Sequence, residues 1–491
     1  MLKLRRLRKN IRDKQMSLFS EILYQKLKSH FGHIPTPKQD TLLHMLAQFV
    51  QIKQDRSLFM LKGYAGTGKT TLISALVKSL REDRVPFRLM APTGRAAKVL
   101  GQYSSYHAST IHRSIYYART GSGGGLILTL QKNKLSNAVF IVDEASMIPD
   151  DTSSEKSGGR NLLYDLMEYV FSGKNCKLIL VGDTAQLPPV GIEISPALDK
   201  QYMQAAFHLN ITEFQLTEVV RQERESGILD NATRLREKIS YNQPNTPFFD
   251  LYGFKDIVNL PGMELLEELQ SSYDFQGFEN TAIITRSNKR ANQYNREIRN
   301  RILFREEEIS AGDLLMVVKN NYFWLGEDSK AGFLANGDMM EVMKVIHREQ
   351  LYGFDFADVM VRLVDYPDEE EKEVKIMLDA LFVDRPAMSY EDNNRLFNEV
   401  MLDYEDIPQR RKKIEAIKKN PYFNALQVKF AYALTCHKTQ GGQWEQVFID
   451  QGFVKEEMLD REYMRWLYTA ITRATKKVFL INFPESFVEE V

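Results

Sequence analysis

Cysteine is almost missing: Cys176 and Cys436 are the only two in 491 residues. Two thiols cannot staple a chain of this size or build a structural zinc site, and no His/Cys/Asp cluster has zinc spacing, so a reducing cytoplasm suits the chain best. Long apolar runs are missing as well. Val139–Val142 and Leu178–Val181 are typical of the longest, far below the roughly 20 residues that span a bilayer. Net charge is nil, with 65 Lys+Arg against 65 Asp+Glu. Any basic track for nucleic acid must therefore be local. The N-terminal MLKLRRLRKNIRDK is basic, but no apolar stretch follows it, which excludes a secretory signal. It is expected to be a frayed arm, an extension ahead of a start near Met16, or a nucleic-acid contact. What remains is ordinary: 43% hydrophobic and 26% charged residues exclude a wholly disordered chain. The length suggests about three domains.

Apolar positions recur at three and four from Met16 to Val50, which predicts helix, with Thr36 as cap and Pro37 in the first turn. Short apolar runs then alternate with helical stretches. Leu58–Lys62, Phe87–Ala91, Val139–Asp143 and Lys177–Gly182 read as buried strands, arguing for a mostly parallel sheet covered on both faces. A second set holds strands Thr281–Thr285, Val447–Asp450 and Val478–Ile481, with helices Asn288–Arg299 and Tyr463–Thr472. Between its halves lies 309–427. Leu314–Val318, Met340–Val345 and Val359–Val364 there predict a small β-barrel. The acidic run Asp368–Glu373 and basic run Arg410–Lys413 read as faces of a charged helical part.

Gly63-Tyr64-Ala65-Gly66-Thr67-Gly68-Lys69-Thr70 matches G-x-x-x-x-G-K-[ST] between a strand and a helix. Glycines let backbone N–H groups turn around phosphate oxygens, and the helix N-terminus adds positive potential. Lys69 supplies a charge for the β- and γ-phosphates of ATP, and the Thr70 hydroxyl can ligate Mg²⁺. Asp143-Glu144 ends a strand, beside the loop if the strands are neighbours. Asp143 is the candidate Mg²⁺ partner and Glu144 the candidate base. Asp183 and Gln186 leave another strand where a γ-phosphate sensor would sit. Arg221 and Arg473 are candidates for the transferred charge.

In order, these segments resemble superfamily 1 helicases of the RecD-like and Dda-like branch, 1B. Gln39 is similar to the Q motif that reads adenine, and Gly63–Thr71 to motif I. Met90–Lys98 and Ser109–His112 resemble motifs Ia and Ib, Asp143-Glu144 motif II, Gly182–Val190 motif III. Arg221 falls in motif IV, Thr435–Gly442 in motif V and Tyr468–Arg473 in motif VI. The resemblance implies an α/β fold of two RecA-like P-loop domains, with a β-hairpin (1B) insertion and an SH3-like β-barrel plus helical (2B) insertion. The expected division is 1–50 as basic arm and helical segment, 51–215 as domain 1A with the hairpin at 113–138, 216–308 with 428–491 as domain 2A, and 309–427 as 2B. It implies Gln39, Gly63, Ala65, Gly66, Thr67, Gly68, Lys69, Thr70, Thr71 and Gly442 as nucleotide contacts. Pro92, Thr93, Thr110, His112, His437, Lys438 and Thr439 would line a single-stranded DNA track.

The activity expected is a cytoplasmic, monomeric, ATP-dependent helicase on single-stranded and tailed duplex DNA, moving 5′→3′, in repair, recombination or replication. A RecD-type subunit of a recombination nuclease and a nucleotide-gated binding module are the alternatives. RNA stays open, because a backbone grip does not itself sense the 2′-OH. A Cys436–His437 nucleophile pair is disfavoured, since neighbours on a strand point to opposite faces. Tyr116–Asn137, with Gly121-Ser122-Gly123-Gly124-Gly125 ahead of an apolar run, reads as a projecting hairpin, with a flexible loop as the alternative; the resemblance implies that it is the pin that splits the duplex.

Overall fold

The computed structural model describes residues 18–120, 126–150, 160–218, 226–241, 246–325, 329, 333–364, 366 and 368–489. The basic arm, the 121–125 tip and Arg221 lie outside these residues. Two helices replace the single N-terminal helical stretch, 18–31 and Pro37–Gln51. Thr36 caps the second in a reciprocal box with Gln39.

The first lobe carries β1 (Ser57–Gly63), β2 (Phe87–Ala91), β3 (Ala108–Thr110), a hairpin of β4 (Tyr116–Thr120) and β5 (Leu126–Leu130), β6 (Val139–Val142), β7 (Lys177–Gly182) and β8 (Asn210–Leu216). Six of them form a sheet in the order β3-β2-β6-β7-β1-β8, every pair parallel. The strands read as continuous apolar runs because both faces are covered. Phe59 and Leu61 enter one core with the helices Pro37–Gln51 and Lys69–Glu82, while Leu58 and Met60 enter the other with helix Leu162–Ser172.

The second lobe continues with β9 (Phe249–Asp250), β10 (Ile257–Leu260), β11 (Thr281–Thr285), β12 (Leu314–Val317), β13 (Met339–Leu351), β14 (Phe354–Leu363), β15 (Lys372–Met377), β16 (Val428–Phe430), β17 (Ala433–Thr435), β18 (Trp444–Asp450), β19 (Ala474–Ile481) and β20 (Val488–Glu489). β10-β19-β18-β11-β17 make a second parallel sheet. β15-β14-β13-β12-β16 make a curled antiparallel one, whose edges meet at the Ile376–Leu426 bridge. Val428–Phe430, expected in the second lobe, pairs with β12 of this inserted sheet instead. The acidic run is no helix face: it forms a turn entering β15. Among the described residues no helix is long and apolar enough to cross a membrane.

Where the insertion leaves the second lobe, Asp313 is fully buried. It takes Arg299 through two bonds of 3.0 Å, Arg305 at 2.8 Å and the Ser310 N–H at 2.7 Å. Breaking a buried pair leaves an uncompensated charge, at a cost of about 3–5 kcal/mol. Asp313→Ala should therefore lower the urea unfolding midpoint of the chain markedly. An unchanged midpoint would show that the network contributes nothing to folding.

Candidate active site

The parallel order of the first sheet brings the C-terminal ends of β1, β6 and β7 to one edge. β6 is not the neighbour of β1; β7 lies between them. Asp143 still reaches the edge of the phosphate loop, because all three strands run the same way.

The loop between β1 and helix Lys69–Glu82 turns on Gly66 (φ 72°) and Gly68 (φ 83°). A Cβ on Gly68 would lie 2.8 Å from Gln39 Nε2, and one on Gly63 2.9 Å from Lys69 Cγ. Glycine is the residue that allows both approaches. Lys69 Nζ and Thr67 Oγ1 each donate to the Tyr64 carbonyl at 2.8 Å. Gln39 is buried under the loop. Its amide nitrogen donates to the Thr67 carbonyl at 3.0 Å, and its oxygen accepts the Thr36 N–H at 2.9 Å. It thus ties the helix cap to the loop.

Burial and the neighbouring Glu144 push the Asp143 carboxyl up to about 7, while Lys69 pulls it the other way. A divalent cation relieves such a carboxylate, so the Asp143 carboxyl fits a cation such as Mg²⁺. Glu144 sits in the left-handed region at φ 52°, a costly backbone for a non-glycine residue. Across from it, buried Arg473 donates to the carbonyls of Thr469 and Gly442 at 3.1 and 3.3 Å. Its Nη1 lies 4.0 Å from Glu144 Oε1.

Arg473 ends a wedge from the second lobe. Helix Arg461–Ile471 is buried on every face from Tyr463 onward. The Tyr468 hydroxyl accepts the Ala65 N–H at 2.9 Å and donates to Asp183 at 2.6 Å. Thr469 Oγ1 accepts the Leu187 N–H at 2.9 Å, and Gln440 donates to the Leu187 carbonyl at 2.6 Å. Further out, Arg95 stacks 3.9 Å over Trp444, and Arg236 lies 4.4 Å over the Tyr64 ring. None of Tyr468, Thr469, Gln440, Arg465, Arg236 or Trp444 had been assigned a role. The visible signal was YMRWLYTAI, a helix apolar all round with an arginine inside it, which marks a segment packed between bodies.

The track residues divide. Pro92, Thr93, His112, His437 and Lys438 are partly exposed, although Thr93 also caps helix Gly94–Ser104. Burial lowers His112 to about 4, so it is neutral near pH 7. Thr110 and Thr439 do not face outward. Thr110 is buried and its hydroxyl accepts the Arg113 N–H at 3.2 Å. Thr439 is fully buried and donates to the Cys436 carbonyl at 2.7 Å. Both hydroxyls serve local turns. Gly442 contacts Arg473 through its carbonyl, and Arg221 falls outside the described residues.

A phosphate loop, an acid pair and an arginine delivered from a second parallel sheet define a two-lobed P-loop ATPase of the RecA-like type. An AAA domain matches residues 44–241 and a UvrD-like helicase C-terminal domain residues 430–481. The chain is 24% identical to the ATP-dependent DNA helicase Dda of Enterobacteria phage T4 over 463 residues, covering 88% of this chain and 95% of Dda. It is 34% identical to the RecD2 helicase of Deinococcus radiodurans over 178 residues, 36% of this chain and 21% of RecD2. An uncharacterised mimivirus protein is 25% identical over 91% of this chain and 99% of its own length. The Pif1 helicase structure from Candida albicans aligns over 94% of this chain and 97% of its own, at TM-score 0.45 and 17% identity. The chain is thus similar to ATP-dependent DNA helicases of the RecD2 and Dda kind, an AAA domain followed by a UvrD-like helicase C-terminal domain.

Cys436 opens a short helix, Cys436–Thr439, rather than sitting on a strand. Its buried thiol is pushed up to about 12, so no thiolate forms near neutral pH. Cys436→Ser should hydrolyse ATP at the parental rate, and the folded chain should resist alkylation until denatured. Loss of activity on rapid labelling of Cys436 would contradict this.

Proposed function

We propose that the chain is an ATP-dependent DNA helicase that moves 5′→3′ on single-stranded DNA and parts the duplex with the β4–β5 hairpin. One observation carries the reading: Glu144 of the first lobe and Arg473 of the second come within 4.0 Å across the seam. Base and arginine then work only when the lobes are together, which ties hydrolysis to closure.

In this reading the Gly63–Thr71 backbone and Lys69 hold the triphosphate. Gln39 keeps the loop in shape, and Gly442 positions Arg473 through its carbonyl. Thr70 and Asp143 would hold Mg²⁺, which neutralises phosphate charge when bound. Glu144 takes the proton of the attacking water, Arg473 faces the charge of the transferred phosphoryl group with Arg221 as its candidate companion, and Gln186 senses the γ-phosphate. Pro92, Thr93, His112, His437 and Lys438 contact the DNA strand, with His112 as a neutral partner. The insertion is read as an SH3-like 2B module, and the chain as a cytoplasmic monomer. Tailed duplex DNA is the substrate; RNA would share the backbone grip.

Lys69→Ala should abolish DNA-stimulated ATPase activity while leaving the melting curve unchanged. Glu144→Gln should bind ATP but turn it over roughly 10²–10⁴-fold more slowly, and Arg473→Ala should lose roughly 10³–10⁵-fold in kcat. Retained turnover in Lys69→Ala would remove the phosphate-loop assignment. Unwinding of 3′-tailed in preference to 5′-tailed duplexes would reverse the polarity.

The hairpin is tied at its base: the Tyr116 hydroxyl donates to Asp165 at 2.6 Å, and the Gln131 side chain donates to the Tyr116 carbonyl at 2.7 Å. Replacing 119–127 with a tight Asn-Gly turn keeps those ties. That variant should lose unwinding and keep DNA-stimulated ATPase activity. Unwinding at the parental rate would move the pin elsewhere.

A further inference from the structure

A cavity of about 40 Å³ lies between the lobes, lined by Ser146, Asp183, Gln186, Ser195 and Arg465 among others. Four buried polar atoms on this lining have no hydrogen-bond partner: Ser146 Oγ, Gln186 Oε1, Ser195 Oγ and Arg465 Nε. Buried polar atoms are nearly always paired, so such a convergence calls for an explanation. Arg465 makes it sharper. Its Nη1 donates to the Glu193 carbonyl, yet among the described residues it makes no ion pair. An unpaired buried cation is among the costlier arrangements in a protein, and burial accordingly lowers the guanidinium from its ordinary value. Gln186 Oε1 can only accept and Arg465 Nε–H can only donate. The volume admits a bridging water, which needs roughly 10–15 Å³.

We propose that Arg465 is a positioning residue whose Nε–H holds the Gln186 carbonyl oxygen, directly or through water in this cavity. Gln186 belongs to the first lobe and Arg465 to the wedge helix of the second. The pairing fixes the amide plane of Gln186, so its NH₂ group is aimed by the second lobe. The inference rests on the reading of Gln186 as the γ-phosphate sensor, and adds the group that orients it. Arg465 is separate from Arg473: it acts on the sensor and not on the transferred phosphoryl group.

The test uses Arg465→Met, Arg465→Lys, Gln186→Ala and the Arg465→Met/Gln186→Ala double variant of the full chain. Affinity for a fluorescent ATP analogue, kcat with saturating single-stranded DNA and melting midpoints are measured. Arg465→Met should keep its nucleotide affinity and lose roughly 10- to 100-fold in kcat, the worth of one charge-assisted hydrogen bond. It should melt no lower than the parent, because an apolar side chain of similar volume replaces an unpaired charge. Arg465→Lys should recover part of the rate. The double variant should be no slower than Gln186→Ala alone. Losses that multiply in the double variant, or a lowered melting midpoint that accounts for the lost rate, would overturn the proposal. Parental kcat in Arg465→Met overturns it alone, whereas a parent chain without DNA-stimulated ATPase activity overturns the helicase reading and this proposal with it.

Discussion

One hydroxyl joins the second lobe directly to the phosphate loop. Tyr468 takes the Ala65 N–H of the phosphate loop and gives its proton to Asp183 on the neighbouring strand exit. Both partners are on the first lobe and the tyrosine is on the second. The wedge helix is buried all round because it must carry that hydroxyl, and Arg473 five residues later, into another lobe's strand ends. The loop has few backbone donors, and one N–H makes one strong bond. Any phosphate oxygen that claims Ala65 N–H displaces Tyr468 from it. A nucleotide held there would draw on the same donor set as the contact that joins the lobes, which is a physical basis for coupling occupancy to lobe position.

The root of the insertion and the seam cavity differ in how their polar groups are satisfied. Where the insertion leaves the second lobe, polar groups are saturated: Asp313 accepts from two arginines and a backbone N–H, and Asn295 bonds the Phe430 and Ala433 carbonyls. At the seam, Gln186, Ser146, Ser195 and Arg465 leave buried atoms unpaired. Saturated networks rigidify and half-saturated ones are weak points. The seam therefore carries a cluster of such weak points.

Much of this was legible in the sequence, and the parts that were not share a cause. The strands ending at Gly63, Val142 and Gly182 were readable because burial on both faces leaves uninterrupted apolar runs, and the loop because only glycines permit its backbone. Sheet order was not readable: that β7 separates β1 from β6 is a fact about partners more than a hundred residues apart. Thr93, Thr110 and Thr439 are alike in sequence, and a threonine that caps a turn has the same local signature as one that touches DNA. Only burial separates them. The seam residues are hidden for the same reason, since Ala65 meets a tyrosine four hundred residues later. Cys436 was rejected as a nucleophile on strand geometry; the better reason is burial.

The insertion completes the mechanical picture. It is threaded out of the second lobe next to Asp313, yet it also rests on the first. Lys98 donates to the Val364 carbonyl at 2.9 Å. A Cβ on Gly94 would collide with the Asp338 carboxylate. Tyr322 packs against the first-lobe core that contains Tyr116 and Leu128, at the root of the hairpin. The lobes are thus joined twice, once through the wedge helix at the nucleotide edge and once through the insertion beside Thr93. A rotation of one lobe on the other cannot keep both sets of contacts. Both sets mix apolar packing with hydrogen bonds: Ala185 and Leu187 share a core with the wedge helix, and Tyr322 packs at the hairpin root. Any such rotation must therefore break or remake one of them.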